Sequence, residues 1–465
     1  MNFLHRFWKW FDDRTGAGAA VIPAAVHPVP RHSRWFYVFG SATLIAFIVQ
    51  VVTGIALATT YTSTADHAYD SLHYISTGAP FGHALRGIHY FGASAMVLLV
   101  GIHMIRVYLM AAYKYPREMN WVSGVLLLVF TLGMGFTGQL LRWDQTAVWS
   151  TVVASEQAAR VPFIGKQLIR VVLAGSNVGS ATLGRFYILH VFVLPALIIL
   201  FIGMHMYLVL YHGISAPPEE GEVVDPATAR PKYHALLKRD GVPFWPFAAW
   251  RDVLFGLLVV VAIVALGCWF GPPILGNPPD PALLRAEPQP DWYLLWYFAV
   301  LALIPHEMET PVILGFPVVV GLVLIAVPFI ANRGERSLKR RPWDVLIVIV
   351  VVTFIGVLWR AGVEQRWSPK FDAVPVPASV VGAASGPVHD GAAVFNTRGC
   401  LYCHMISDHG GTRGPDLTFV GDRLTHEQIV IRIVNGGYNM PAYATNMSPK
   451  ELSDVAAFLM SRKKN

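Results

Sequence analysis

Cys400-Leu401-Tyr402-Cys403-His404 sets two thiols three residues apart with an imidazole directly after the second. In this C-x-x-C-H order the thiols can form two thioethers to a haem while the histidine takes its iron. A zinc or redox reading of Cys400 and Cys403 leaves His404 without a role and supplies no second ligand pair. The third cysteine, Cys268, lies in an apolar run and reads as a packing residue. An electron-transfer haem held this way is served by a soft sixth ligand, because a thioether raises the iron potential. Met440 is the candidate, since Gly436, Gly437 and Pro441 give its loop sharp turns, and Met447 is the competitor.

A second set of imidazoles lies where histidine is costly. His89 and His103 are 14 residues apart in one long apolar run, and His190 and His205 are 15 apart in another. Histidines inside a membrane are functional candidates by default. Fourteen helical residues rise about 21 Å and return to within about 40° of the same face, so one face presents imidazoles at two depths. Fifteen rotate about 60° the other way, and Pro195 is the kind of residue that bends a helix and absorbs the difference. With both runs crossing in the same direction, His89 faces His190 and His103 faces His205, each pair clamping one iron from both sides. Gly40 and Gly54, and Gly124 and Gly138, repeat the 14-residue period and offer flat patches for a macrocycle. Arg86 and Arg106 lie one turn beyond His89 and His103 towards opposite surfaces, placed to neutralise propionates or to snorkel to the interface. His67, His73, His83 and His212 lack such partners and read as loop or interfacial residues.

The elements that must hold these groups follow from composition. Of 465 residues 54% are hydrophobic and 14% charged, and mean hydropathy is +0.48, against roughly 25% charged in a soluble domain. A soluble enzyme is excluded. Apolar runs near 35 to 60, 86 to 112, 121 to 141, 185 to 211, 251 to 270, 311 to 331 and 343 to 360 are long enough to cross a membrane, where backbone must be helical. The fold class is therefore all-α: seven spans, a four-helix bundle holding the histidine pairs, and a small all-α haem domain. An odd count puts the chain ends on opposite sides. Arg6, Lys9, Arg14, Arg31, Arg34, Lys114, Arg117, Arg333, Arg336, Lys339, Arg340 and Arg341 belong inside, whereas Asp280, Glu287, Asp291, Glu307 and Glu309 around Arg285 suit the outer side. The expectation is a multi-pass protein of a bacterial inner membrane, with a cytoplasmic N-terminus and the haem domain on the periplasmic side. The net charge of +7 reflects basic inner loops, and no block of basic and aromatic residues points to nucleic acid.

Residues 1–34, with Trp8, Trp10 and Phe11, read as a retained interfacial amphipathic segment. Residues 35–215 then form a four-helix part, 216–250 an inner loop and 251–365 a three-helix part. Residues 366–388 have the Pro, Ala, Val, Gly and Ser composition of a linker. The domain at 389–465 is small enough to need the apolar mass of a covalent cofactor.

With Phe395 before the haem motif, Gly414-Pro415 after it, Met440-Pro441 and a closing helix from Ser448 to Met460, the tail resembles class I cytochrome c domains. The membrane part resembles cytochrome b of the quinol-oxidising bc and bf complexes. The resemblance is carried by the two histidine pairs, the four glycines, Arg86-Gly-Ile-His89, Phe136-Thr-Gly-Gln, Trp143-Asp144-Gln145 and Arg185-Phe-Tyr-Ile-Leu-His190. The 15-residue spacing points to the bf-like branch. There the protein is divided into four-helix and three-helix chains, which here are joined. The branch's extra covalent haem needs a cysteine where this chain has Val38, so the resemblance implies two non-covalent b haems and one covalent c haem.

Pro290-Asp291-Trp292-Tyr293 resembles the family's Pro-Glu-Trp-Tyr motif at the outer quinol site, with Asp in place of Glu. A quinol losing electrons must lose protons, and Asp291 is the candidate acceptor, its alternative role being a helix cap. Tyr293 is expected to orient the quinol head, with Pro290 and Trp292 beside it. The segment from Trp143 to Ile164 is expected to form the opposite wall as a surface helix carrying Trp149. Arg142 departs from the proline usual before Trp-Asp-Gln. Arg251 and Asp252 look like a pair used by some relatives at an inner quinone site, or are interface anchors.

The resemblance implies a quinol:cytochrome c reductase core, inactive alone. One electron crosses the membrane through the b haems. The other passes by a separate Rieske iron-sulfur protein to the fused c haem, and on to a cytochrome c or terminal oxidase, in a homodimeric complex. The alternative is a dihaem membrane anchor that conducts electrons to or from the quinone pool without bifurcating them. Such an anchor has no use for the Pro-Asp-Trp-Tyr site.

Overall fold

The computed structural model describes residues 3–175, 178–279, 289–364, 374–411, 414–437, 440–444 and 446–464. Seven helices are long and apolar enough to cross a membrane: Phe39–Ala58, Gly82–Leu109, Glu118–Leu140, Ser180–His212, Ala249–Trp269, Glu307–Ile330 and Pro342–Glu364. They match the seven apolar runs to within about a turn at each end, because an uninterrupted apolar stretch can satisfy its backbone in lipid only internally. Asp280, Arg285 and Glu287, used above for orientation, lie outside the described residues, as do residues 366–373 of the expected linker.

The fourth span shows how the 15-residue spacing is accommodated. Leu189–Val193 forms one π-helical turn, with the Leu194 N–H reaching back to the Leu189 carbonyl, directly ahead of Pro195. A π turn holds one more residue than an α turn. The extra residue between His190 and His205 is taken up there rather than by a bend at the proline itself. Ala42, Ala46, Phe47, Met96, Leu99, Ile198 and Ile263 form one core from the first, second, fourth and fifth spans. These positions lie along their helices between the two histidine levels. The second and fifth spans meet backbone to backbone: a Cβ on Gly87 would fall 2.4 Å from the Gly267 carbonyl oxygen, and one on Gly267 2.5 Å from the Ile88 nitrogen.

At the His103 end the loops are tied across the two halves of the bundle by residues read above simply as inner charges. Arg336 donates to the Glu222 carboxylate at 2.7 Å, the Ser215 hydroxyl at 2.6 Å and the Ala216 carbonyl at 2.6 Å. The Lys114 ammonium donates to the Ala331 carbonyl at 2.7 Å and to that of Arg333, closing the end of the sixth span. Burial holds the Lys114 amine down at about 8. Arg341 pairs with Asp344 at 2.9 Å. Short strand pairs complete this face, Pro28–Pro30 with Gly241–Pro243 and Val223–Val224 with Gly334–Glu335, both antiparallel.

In the tail, Pro387–Thr397 crosses Pro449–Met460, with Phe395 and Phe458 rings at 5.7 Å in an edge contact. Ser448 caps the closing helix through a reciprocal box with Glu451. The expected linker is shortened by the structure: Ala378–Val381 is helical, Val381 is buried in the tail's core, and Arg462 donates to the Val381 carbonyl at 2.9 Å. Valine-rich sequence that reads as tether here supplies apolar mass to a small core.

Arg336→Met removes three hydrogen bonds and leaves Glu222 without its partner. Glu222 is 40% exposed and water can replace the lost cation there, so the cost is mainly that of the hydrogen bonds to Ser215 and Ala216, about 1 kcal/mol each. The detergent-solubilised chain is expected to melt several degrees lower with its visible spectrum unchanged, as read by differential scanning fluorimetry.

Candidate functional site

His89 and His190 face one another with ring centroids 6.4 Å apart and planes at 75°. Two metal–imidazole bonds of about 2 Å, plus half a ring on each side, span much the same distance, so the pair fits one iron between two axial nitrogens. The ring orientations are held by hydroxyls. Thr53 Oγ1 lies 2.8 Å from His89 Nδ1 and donates its hydrogen to the Val49 carbonyl at 2.6 Å. Thr137 Oγ1 lies 3.1 Å from His190 Nδ1 and donates to the Gly133 carbonyl at 2.8 Å. A hydroxyl has one hydrogen, and with that engaged it can only accept from the ring. Both histidines therefore carry their proton on Nδ1 and present a free Nε2 lone pair.

His205 repeats the device, with Ser123 Oγ 2.8 Å from its Nδ1 and donating to the Asn120 carbonyl at 3.0 Å. His205 and His103 line one cavity of about 340 Å³ together with Gly40, Gly124, Arg106 and Asp252. The glycines do something more specific than offer a flat patch. A Cβ on Gly40, Gly54, Gly124 or Gly138 would sit 3.0, 3.3, 3.6 or 2.7 Å from Cε1 of His103, His89, His205 or His190 respectively. Gly40, Gly54 and Gly138 make room for an imidazole, whereas at Gly124 a Cβ would reach only ordinary contact; the first span serves the second and the third serves the fourth.

The two arginines are not equivalent. Arg106 stacks 3.8 Å over the Tyr37 ring, and its Nε and Nη2 are buried without a hydrogen-bond partner on the cavity wall. Such an orphaned cation fits a carboxylate-bearing ligand. Arg86 instead donates to the Ser76 hydroxyl at 2.9 Å and the Pro273 carbonyl at 3.0 Å, tying loops together. Its expected role towards a propionate is thus replaced by a structural one for those two nitrogens.

Beside the His89 end, one turn of the third span organises the Asp291 region. The Gln139 side chain accepts the Asp291 N–H at 3.0 Å and donates to the Gln289 carbonyl at 3.0 Å. The Tyr293 hydroxyl donates to the Asp291 carboxylate at 3.3 Å and rests where a Cβ on Gly135 would be. Trp292 donates to the Ser94 hydroxyl at 3.2 Å, and Pro290 leads into the turn. Asp291 occupies the cap position of the short turn Trp292–Leu294 but makes no side-chain cap bond, so capping is not its role. Burial raises its carboxyl above the usual carboxylate range, against the downward pull of the Arg142 guanidinium and the Tyr293 hydroxyl. The expected wall is present as the helix Gln145–Ala159, capped by the buried Asp144, and its Trp149 indole N–H is buried without a partner.

Arg251 and Asp252, expected as a pair, are not joined by a salt bridge. Asp252 accepts from the Ser41 hydroxyl beside Gly40 and faces the His103 cavity. Arg251 lies 4.7 Å over the Trp250 ring and donates to the Phe247 carbonyl at 3.2 Å.

In the tail the His404 Nδ1 lies 2.9 Å from the Pro415 carbonyl, which can only accept, so Nε2 is again the free nitrogen. A Cβ on Gly414 would meet that ring at 2.6 Å. Burial pushes the Cys400 thiol up to about 12, so it stands as a neutral thiol rather than a thiolate. The Met440 loop is closed by the Gly437 N–H on the Met440 carbonyl at 2.9 Å, and Met440 and Met447 both pack on the domain core. Thr53 and Ser123 were not singled out from sequence, and Thr137 and Gln139 entered only as part of the Phe136-Thr-Gly-Gln motif with no role given, although each hydroxyl directly precedes one of the period-14 glycines.

Paired neutral imidazoles in a membrane bundle, followed by a C-x-x-C-H domain, define a membrane cytochrome. Comparisons with known proteins agree. Residues 25–213 match the family model Cytochrome b/b6/petB, residues 279–372 match Cytochrome b(C-terminal)/b6/petD, and residues 386–459 match Cytochrome C oxidase, cbb3-type, subunit III. Cytochrome b6 of Rippkaea orientalis is 41% identical over 210 residues, which are 45% of this chain and 95% of that protein. Cytochrome b6 of Heliomicrobium gestii is 41% identical over 211 residues, 45% of this chain and 99% of that protein. A solved structure described as Hyperthermophilic respiratory Complex III aligns with TM-score 0.65 at 26% identity, covering 78% of this chain and 92% of its own. The chain belongs to the cytochrome b/b6 family, and is a b-type core subunit of a quinol-oxidising, complex III-like assembly with a C-terminal cytochrome c domain.

Gly138→Val places a branched side chain against His190, whose ring has no room to move while it stays on Thr137. The expected outcome is loss of the b-type signal belonging to His89 and His190, with the remaining b and c signals retained in reduced-minus-oxidised spectra.

Proposed function

We propose that this chain is the cytochrome b and c core of a quinol:cytochrome c oxidoreductase, oxidising quinol at Asp291 and dividing its two electrons between two routes. Non-covalent haems between His89 and His190 and between His103 and His205, and a covalent haem on Cys400, Cys403, His404 and Met440, supply reversible one-electron carriers. The observation that carries this reading is the third-span turn on which Gly135, Thr137, Gly138 and Gln139 serve Tyr293, His190 and Asp291 at once. A proton acceptor and a haem-ligand pair built on one turn are what a site needs where proton and electron leave the same quinol. A non-bifurcating dihaem anchor has no need of that arrangement.

In this reading Tyr293 orients the quinol hydroxyl towards Asp291. Quinol loses two protons with its two electrons: one O–H proton goes to the Asp291 carboxylate, which later releases it to water, and the other leaves from the second hydroxyl to the outer aqueous phase. The chain lacks the paired Cys/His clusters of a Rieske centre, so a separate Rieske protein takes the first electron and passes it to the fused haem domain. The second crosses the bilayer by way of the paired imidazoles to a quinone near Asp252 and Arg251. Basic inner loops support a cytoplasmic N-terminus and a periplasmic haem domain in a bacterial inner membrane. A homodimer and a cytochrome c or terminal oxidase as acceptor follow by analogy.

Asp291→Asn in the assembled complex is expected to slow quinol oxidation by about 100-fold or more, with all haem spectra intact. Because burial raises the Asp291 carboxyl and the carboxylate is the working form, wild-type turnover should fall on acidification at a pH above the ordinary carboxylate range. That limb should vanish from the variant, and wild-type turnover in the variant would remove Asp291 from the mechanism. For the cofactors, haem quantitation is expected to give two b to one c, and His205→Leu to give one to one. Loss of the c signal in that variant would overturn the pairing.

A further inference from the structure

Three of the four paired imidazoles meet a hydroxyl at Nδ1, and each hydroxyl belongs to the residue directly before a period-14 glycine: Thr53 before Gly54, Ser123 before Gly124 and Thr137 before Gly138. His103 is the exception. It faces Gly40, and the residue before Gly40 is Phe39. Phe39 lies 14 residues before Thr53 on the same helix, in nearly the same register. Among the described residues neither ring nitrogen of His103 has a hydrogen-bond partner, although the other three histidines do. No neighbouring hydroxyl stands in. Ser41, on the far side of Gly40, is directed to the Asp252 carboxylate at 2.5 Å and the Val38 carbonyl at 2.9 Å. Thr43 donates to the Phe39 carbonyl at 2.8 Å. The Phe39 ring packs edge-on against Phe255 at 5.7 Å.

We propose that His103 is the weakest of the four axial ligands because Phe39 leaves its Nδ1–H unaccepted, and that the site it shares with His205 therefore takes up an electron more readily than the site of His89 and His190. A hydroxyl that accepts the Nδ1–H makes the opposite nitrogen a better donor. A better donor favours ferric iron and lowers the reduction potential. At the His89 end both rings receive this help, from Thr53 and Thr137. At the His103 end only His205 does, from Ser123. Each site takes one electron and no proton, so the difference sets where a single electron shared between them rests. The Arg106 cation on the same cavity wall acts in the same direction, and a change at position 39 leaves that charge untouched. The inference rests on each histidine pair holding a haem, as proposed above.

The test is a spectroscopic redox titration of the purified complex for wild type, Phe39→Ser, Phe39→Ala and Thr53→Val, with His205→Leu, which keeps only the His89 pair, assigning the two b-type steps. In wild type the step at the His103 end is expected at the higher potential. Phe39→Ser and Phe39→Ala open the same space beside Phe255, and only serine brings an acceptor. Relative to alanine, serine is expected to lower the His103 step, moving the electron's equilibrium share between the sites by about 2- to 10-fold, with the other step in place. Thr53→Val, which removes an acceptor at nearly constant shape, is expected to raise the His89 step by a similar factor. If the variants at position 39 do not assemble, Thr53→Val and the wild-type order carry the measurement. Equal potentials for serine and alanine, an unmoved step in Thr53→Val, or a lower His103 step in wild type overturns the proposal. A wild-type complex that binds a single b haem instead overturns the reading of the histidine pairs, so the two failures are distinguishable.

Discussion

An imidazole can ligate iron only if one ring nitrogen keeps its lone pair, and inside a bilayer no water is at hand to correct a wrong tautomer. Much of the bundle serves that constraint. Thr53, Thr137 and Ser123 already donate to their own helix backbones, so each can only accept the ring's Nδ1–H. Gly54 and Gly138 beside two of them clear the space in which the ring must lie. Ligand, orienting group and clearance come from two helices at a time, so helix packing and ring chemistry are one problem with one solution.

The same economy governs the two ends of the bundle. At the His89 end a single turn orients His190, seats Tyr293 and pins Asp291. At the His103 end Arg106, stacked on Tyr37, leaves unpaired nitrogens on a cavity wall that also includes Asp252. Buried polar atoms without partners are rare in folded proteins, and among the described residues Ser33 Oγ, Arg106 Nε and Nη2 and Asn120 Oδ1 lie on this one cavity wall.

Much of this was legible in the sequence. The span boundaries, the histidine pairs and the period-14 glycines follow from local patterns, namely apolar length and helical rotation. The C-x-x-C-H pentapeptide needs no context to be found. What escaped depends on contacts across the chain. Gln139 meets Asp291 across 152 residues, and no local pattern announces that. The hydroxyls did leave a trace, as Thr53-Gly54, Ser123-Gly124 and Thr137-Gly138, but a threonine or serine in a span is ordinarily satisfied by its own helix. Counting basic residues placed Lys114, Arg336 and Arg341 on a common face, yet could not tell that they are buried ties. Composition likewise could not separate a tether from the strap at Ala378–Val381, because valine and proline serve both.

The widened turn at Leu189–Val193 bears on how such chains are aligned. A one-residue insertion in a straight helix would swing every later side chain by about 100°, and His205 would lose its partner. Confined to a single loosened coil beside a proline, the added residue leaves the rotational phase of the lower half intact. A chain with one residue fewer between these histidines would keep their pairing by closing that coil into an ordinary α turn, so the added residue belongs inside the coil rather than at either histidine.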